Sequence, residues 1–410
     1  MKRHYLIDHR ALFLFGYCFY LFTPLLVGRA EFLEGLPGIE LYQRYFDTIP
    51  PEKIRAYTLI SLSWLPAFFL GHAAFRLIKP YRTNLRIFEA TPVTHATSYA
   101  GVLLLLVFFL FALLARQSLF GGYASYDVAA RGKLSTLLVI FNFFLLYQLL
   151  SRQRLSAALI TGTILTALAL LSMGGRMYVF QTFIILLVYK TSFAPKQWKI
   201  IKISLLVASS LIVATAAGIW RMGDSLNLHK ATYSILAEPV FTWFSTSTFL
   251  AGNEIPLINF PTNFLTSFLN MIPNTVINLQ RFVVSTKEMG FVYENPLGAE
   301  SAWTTFIINF GVIGSFVFIF LTGFLLHWLR YTSEKSRMAA VYYLLVCGIL
   351  PFQVFRDGFY ILNKQLVFNF FLLPAFILLA LHIMEYTELL LQKKGVPLIS
   401  EKPVVGHPPG

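Results

Sequence analysis

Ten apolar runs recur along the chain and constrain its fold more than any other feature of the sequence. A helix needs about 20 apolar residues to cross the hydrocarbon core of a bilayer, and most of these runs approach that length. We therefore predict an all-α polytopic membrane protein with about ten spans. The predicted spans are approximately 11–28, 57–75, 97–115, 134–150, 155–173, 177–193, 203–220, 302–326, 338–355 and 365–384.

The composition excludes most other classes of protein. The 410 residues are 57% hydrophobic and 13% charged, whereas soluble domains average about 25% charged residues. A soluble enzyme and a disordered chain are therefore excluded. The net charge of +14 does not indicate nucleic-acid binding, because membrane proteins accumulate Lys and Arg at their inner face.

The distribution of charge predicts the orientation of the chain. With the N-terminus inside, the inner segments hold 19 of the 33 Lys and Arg residues but 6 of the 19 Asp and Glu residues. This asymmetry follows the positive-inside rule, so we predict that both termini are cytoplasmic. The basic start and the first apolar run lack a signal-peptide cleavage site, and we interpret this run as an uncleaved first helix.

The domain organisation is predicted to be simple. Residues 1–390 form one integral membrane domain, and the polar residues 391–410 form a disordered cytoplasmic tail. The large outer loop, about 221–301, contains the apolar stretches Pro239–Ala251 and Phe260–Ile272. These stretches are too short to span and predict interfacial or re-entrant helices. The two cysteines, Cys18 and Cys347, lie in distant apolar runs and indicate neither a disulfide nor a metal site.

Arginines at the outer face are the first candidates for function, since a guanidinium binds phosphate in a bidentate manner. Arg176 follows Gly174 and Gly175 in a tight turn between two spans. It is a candidate phosphate ligand or, alternatively, a lipid-interface anchor. Arg221 ends the seventh span and could instead form a salt bridge with Asp224.

A second group of charges lies in the short turn before the last span. Arg356, Asp357 and Lys364 fall within this turn, where charge beside apolar helices is costly unless it is used. The alternative is a simple Arg356–Asp357 salt bridge. Arg281, from the large loop, completes the set of candidate diphosphate ligands.

Two acids are the candidate catalytic residues, Glu300 and Asp357. Glu300 directly precedes a span, so it could act as a base at the membrane surface or stabilise the helix N-terminus. His229 in the large loop is a weaker candidate. The sequence contains no phosphate-binding glycine loop, no HExxH and no GxSxG motif, and no cofactor is predicted.

Several of these features occur in one layout over about residues 55–385. They are the Gly174–Gly175–Arg176 turn, one large outer loop, Gly298–Ala299–Glu300 entering a span with Asn309–Gly314, and Arg356–Asp357–Gly358. This layout resembles the Wzy-type polymerases of O-antigen and other oligosaccharide repeat units. Many members have two comparable outer loops, whereas one dominates here.

The resemblance implies a function and an architecture. The substrates would be undecaprenyl-diphosphate-linked oligosaccharides at the outer face of the bacterial cytoplasmic membrane, and the helices would resemble the C-type glycosyltransferases. The growing glycan would be transferred to a hydroxyl of the next repeat unit without metal or nucleotide sugar. A flippase and a chain-length regulator of the same pathway, together with membrane lipids, would be partners.

The chemistry of the residues agrees with this activity. Fixed arginines stabilise the charge that develops on a departing diphosphate, so Arg176, Arg221 and Arg356 are predicted to clamp it. Glu300 or Asp357 would orient or deprotonate the acceptor. Two alternatives remain. An O-antigen ligase also has a large outer loop, with a histidine that His229 could match. A lipid-linked oligosaccharide flippase would need a polar path through the membrane.

Overall fold

The computed structural model describes residues 7–27, 39–79, 88, 95–120, 127–194, 200–221, 227–271, 277–295 and 298–393. Within these ranges the chain is helical and contains no strand. In chain order the helices are α1 (His9–Val27), α2 (Ile39–Asp47), α3 (Pro51–Ile78), α4 (His95–Leu114), α5 (Val128–Leu150), α6 (Ala157–Ser172), α7 (Arg176–Val188), α8 (Ile200–Arg221), α9 (Leu228–Gly252), α10 (Thr262–Thr266), α11 (Ala302–Ser333), α12 (Arg337–Ile349), α13 (Gln353–Arg356), α14 (Phe359–Asn363) and α15 (Leu373–Lys393).

Six candidate membrane spans are found among the described residues, and the helical membrane class is therefore confirmed. They are His9–Val27, Pro51–Ile78, Ala129–Leu150, Ile201–Ile219, Ala302–Ser333 and Phe359–Met384. Three other predicted spans coincide with shorter apolar helices, Tyr99–Leu114, Ala157–Ser172 and Arg337–Ile349. The predicted span 177–193 coincides with α7 and a π-helical turn, Tyr189–Phe193. Ten spans and their orientation stay predictions.

Local chemistry sets several helix boundaries. Several helices begin with an N-cap residue whose side chain accepts hydrogen bonds from backbone N–H groups in the first turn. These residues include Asp8 for α1, Asp127 for α5, Asn227 for α9 and Ser301 for α11. Such caps satisfy donors that have no partner within the helix. On the outside of the bundle, α4 and α8 expose long apolar side chains such as Leu106 and Ile212, which suits contact with lipid.

The helices α3 and α11 form the tightest pair in the bundle. A Cβ atom on Gly71 would lie 1.9 Å from the Phe320 carbonyl oxygen, and one on Gly323 would lie 2.1 Å from the Phe68 carbonyl oxygen. Small residues let transmembrane helices approach this closely. The glycines therefore bring the polar residues near them on the two helices into contact.

A break divides α11 near its start. Gly311 has φ of +67° and ψ of −171°, so the helix is interrupted there. The freed N–H groups of Val312 and Ile313 donate to the carbonyls of Pro256 and Leu257, each at 3.0 Å. Irregular backbone within an apolar helix is tolerated where other protein groups satisfy its hydrogen bonds. The break leaves a short helical segment that begins directly after Glu300 and Ser301.

The predicted large loop is mostly helical in its described part. The stretch Pro239–Ala251 lies within α9, which has 25 residues. The stretch Phe260–Ile272 contains α10 and the 3₁₀ turn Ser267–Met271. At the other end of the chain α15 continues to Lys393, and the remainder of the predicted tail lies outside the described residues.

Candidate functional site

Arg356 is the centre of the strongest charged cluster in the described part of the chain. Its Nε atom donates to Oε2 of Glu238 at 2.6 Å, and its Nη1 atom donates to Oδ1 of Asp357 at 3.2 Å. The short helix α13 presents Arg356, whereas Glu238 comes from the middle of α9. We call Glu238, Arg356 and Asp357 the Arg356 bridge. One guanidinium thus joins two carboxylates from distant parts of the sequence.

The two carboxylates of the bridge differ electrostatically. Burial raises the pKa of Asp357, and the nearby positive charge of Arg356 offsets this only in part. Burial also opposes the charged form of Glu238, but the charges of Arg356, Arg176 and Arg131 outweigh it and lower the pKa of Glu238. The attraction of Glu238 in turn raises the pKa of Arg356. Glu238 is therefore the charged partner of Arg356, and Asp357 is the carboxyl that takes up a proton more easily.

Glu300 lies against the same segment. Its backbone N–H donates to the carbonyl oxygen of Arg356 at 2.9 Å. Its carboxylate accepts hydrogen bonds from the hydroxyl of Thr286 at 3.0 Å and from the hydroxyl of Tyr293, while burial raises the pKa of Glu300. A Cβ on Gly358 would lie 2.2 Å from Oε2 of Glu300. The structure thus places the two predicted acids on adjoining segments.

Arg176 is the first residue of α7 and reaches toward α9. The preceding turn contains Gly174 with φ of +77°, a conformation that glycine adopts readily. Nη1 of Arg176 donates to Oγ of Ser234 at 2.7 Å, and a Cβ on Gly218 would lie 2.4 Å from that same Nη1 atom. Ser234 lies one turn before Glu238, so α9 connects Arg176 with the Arg356 bridge.

Two cavities of different character adjoin these residues. The first has a volume of about 230 Å³ and is lined mainly by apolar side chains: Leu171, Arg176, Val179, Phe180, Phe183, Ser209, Ser210 and Val213. The second has a volume of about 490 Å³ and more polar walls: Arg44, Thr48, Thr248, Ala251, Gly252, Val292, Tyr293 and Glu294. Arg176 belongs to the first cavity. Tyr293, which donates to Glu300, belongs to the second.

The contacts therefore connect an apolar cavity to a polar one. Arg176 donates to Ser234, which shares α9 with Glu238. Glu238 pairs with Arg356, and the backbone carbonyl of Arg356 accepts from the N–H of Glu300. Such a site can hold an amphiphilic anion, stabilise its charge and accept a proton at a carboxylate.

Comparison with family models, with curated proteins and with solved structures gave no match to the chain. The function is therefore inferred from this geometry.

The remaining predicted residues lie apart from the bridge or outside what is described. Arg221 is the last residue of α8, and its side chain is not among those described. Arg281 is exposed, and its guanidinium lies 4.7 Å from the centre of the Phe282 ring. His229 is exposed in the first turn of α9. It precedes Glu238 by nine residues, which corresponds to about 180° around a helix, so it lies on the opposite face.

Of the main ion pair, Arg356 is a candidate from the sequence, whereas Glu238 is not. Glu238 was one of several acids in the large loop, and its 118-residue separation from Arg356 hid the pairing. Ser234 was missed for the same reason. A weak signal existed, because Ser234 and Glu238 are four residues apart and share a helix face. Arg131, whose charge also lowers the pKa of Glu238, carried no such signal.

Proposed function

We propose that this chain is a membrane glycosyltransferase that polymerises oligosaccharide repeat units linked to undecaprenyl diphosphate. The observation that carries the proposal is the position of Arg176. Arg176 lines an apolar cavity, and its guanidinium donates to a neutral hydroxyl, that of Ser234, one turn from Glu238 of the Arg356 bridge. An apolar cavity beside a guanidinium suits a ligand with a hydrocarbon tail and a phosphate head.

The two arginines take different roles in this proposal. Arg356 is already neutralised by Glu238 and Asp357, so it fixes the carboxylates rather than binding a further anion. Arg176 has a neutral hydroxyl partner and remains suited to bind the diphosphate. Arg221 and Arg281 stay additional candidate ligands for the same group.

The proposed transfer needs one proton acceptor. The acceptor hydroxyl oxygen attacks the anomeric carbon of the donor glycan, and the bond from that carbon to the diphosphate oxygen breaks. The lipid diphosphate leaves with the bonding electrons, while the hydroxyl proton moves to a carboxylate. Glu300 is the better acceptor, because Asp357 is 2% exposed and bonded to Arg356. A raised pKa strengthens a carboxylate as a base.

The topology and setting belong to the same proposal. We place the site at the outer face of the bacterial cytoplasmic membrane, with ten spans and both termini inside. The polar cavity beside Tyr293 would hold the sugar chain. A flippase would deliver the lipid-linked repeat unit, and a chain-length regulator would act on the product. No metal or nucleotide sugar enters the reaction as proposed.

The first test is deletion of the gene in its host, followed by gel analysis of surface and lipid-linked glycans. The proposal predicts that single repeat units replace the polymer ladder. Full-length polymer retained on its lipid carrier would identify a ligase instead. An unchanged ladder would overturn both activities and favour a transporter.

Point variants then test the site itself. Arg176→Ala should abolish polymer while the protein remains at its normal level. Arg116→Ala is the control, since Arg116 also lies at the predicted outer face but is exposed and lines neither cavity. Wild-type polymer from Arg176→Ala would refute its role as the diphosphate ligand.

A further inference from the structure

Three buried histidines meet at the opposite end of the bundle from the Arg356 bridge. His9 begins α1, His72 lies near the end of α3, and His327 lies near the end of α11. They are 1%, 7% and 3% exposed. The sequence predicts no metal site, and the three residues lie far apart in it. Their meeting is a product of the fold alone.

The close approach of α3 and α11 explains how the rings meet. His72 directly follows Gly71, and His327 lies one turn after Gly323, the two glycines at the crossing. The His72 and His327 ring centres are 3.7 Å apart, and the His9 ring lies 6.0 and 6.2 Å from them. One ligand atom from each ring falls within 4.8 Å of the others.

The hydrogen bonds leave imidazole nitrogens available inside this group. His9 Nδ1 lies 3.0 Å from the hydroxyl of Tyr343, which orients its Nε2 atom. That Nε2 atom and both ring nitrogens of His72 have no hydrogen-bond partner among the described residues. Burying a polar group without a hydrogen-bond partner destabilises the folded state, so a ligand that uses these lone pairs would stabilise the fold. A second partner that orients a metal-binding histidine is usual in metal sites.

The charges around the histidines permit a cation. Arg10 is paired with Asp8 at 2.6 Å, and Arg330 is paired with Glu334 at 3.5 Å. Arg76, one turn after His72, is exposed. Arg10 and Arg330 are therefore neutralised, and the acids that do this lie at the same end of the bundle.

We propose that His9, His72 and His327 bind a divalent transition-metal ion such as Zn²⁺. Imidazole suits Zn²⁺, Cu²⁺ and Ni²⁺, whereas Mg²⁺ and Ca²⁺ require oxygen ligands. Tetrahedral Zn–N bonds of about 2.0–2.1 Å place ligand nitrogens about 3.4 Å apart, so small side-chain rotations complete the site. The ion ties α1, α3 and α11 together at their predicted cytoplasmic end. This site is independent of the proposed polymerase activity.

Metal binding is tested on the full chain in detergent, purified without a polyhistidine tag and treated with a chelator. Equilibrium dialysis should give one Zn²⁺ per chain, undiminished by Mg²⁺ at tenfold excess. His72→Ala should weaken Zn²⁺ binding at least about tenfold. His229→Ala is the control, because His229 is exposed on α9. Equal Zn²⁺ binding by the wild type and His72→Ala would overturn the proposal.

A second measurement needs no variant and so does not depend on how a substituted chain folds. Co²⁺ added to the wild-type protein should give the visible absorption of a tetrahedral, nitrogen-bound ion, and Zn²⁺ should displace it. Zn²⁺ should also raise the unfolding temperature of the wild type, since an ion that binds only the folded state stabilises it. Absence of the Co²⁺ absorption would refute the site.

Discussion

The Arg356–Glu238 ion pair makes a quantitative prediction about stability. Removing one partner of a fully buried pair costs about 3–5 kcal/mol. Here the side chains of Arg356 and Glu238 are 19% and 36% exposed, so solvent screens part of the interaction. We expect a coupling free energy of about 2 kcal/mol from a double-mutant cycle of Glu238→Gln and Arg356→Gln. That value corresponds to a roughly thirtyfold change in the unfolding equilibrium constant.

The chain provides both a reporter and a matched control for this cycle. Cys347 is buried and Cys18 is exposed, so in a Cys18→Ser background only unfolding exposes a thiol to a fluorogenic reagent. Unfolding of each variant in mixed micelles is followed through the reaction of Cys347.

The control is the Lys53–Glu254 pair, at 3.2 Å with Glu254 95% exposed. An exposed pair of this kind contributes about 0–1 kcal/mol, so Glu254→Gln should have little effect. A coupling between positions 238 and 356 that does not exceed the effect of Glu254→Gln would contradict the expected strength of the Arg356–Glu238 pair.

Three further predictions concern the acids and the glycine beside them. Gly358→Ala should push the Glu300 carboxylate away from Thr286 and Tyr293 and so destabilise the chain. A Cβ on exposed Gly132 meets nothing within 4 Å, so equal effects of the two substitutions in thermal unfolding would contradict this. Folding raises the pKa of Asp357 from 3.8, so the free energy of unfolding should fall as the pH rises from about 4 through the folded-state pKa. Asp357→Asn should flatten this pH dependence, and parallel pH profiles of the wild type and the variant would exclude Asp357 as its cause. Glu300→Gln should lower the polymerisation rate by about 10²–10⁴-fold while preserving the thermal unfolding temperature, and near-wild-type turnover in a lipid-linked substrate assay would remove Glu300 as the base.

The candidate site was predictable only in part from the sequence. Four charged residues could be identified, because charge in a short segment beside apolar helices is unusual in any sequence. They are Arg176, Arg356, Asp357 and Glu300. Their division of roles was not identifiable. Whether Arg356 binds a ligand or neutralises carboxylates depends on Glu238, which the sequence places 118 residues away.

The helical membrane class is the part of this protein that the amino-acid sequence determines by itself. Hydropathy is a local property, and an apolar run of sufficient length must become a helix in lipid whatever its neighbours do. For this reason six of the predicted spans coincide with the six candidate membrane helices.

Tertiary structure alone decided which polar residues meet. The Arg356 bridge joins α9 to α13, and the three histidines join α1, α3 and α11, through contacts that no local pattern encodes. The crossing at Gly71 and Gly323 depends on two helices meeting at one register, which hydropathy does not specify. A span is a property of consecutive residues, whereas a site is a property of packing between segments.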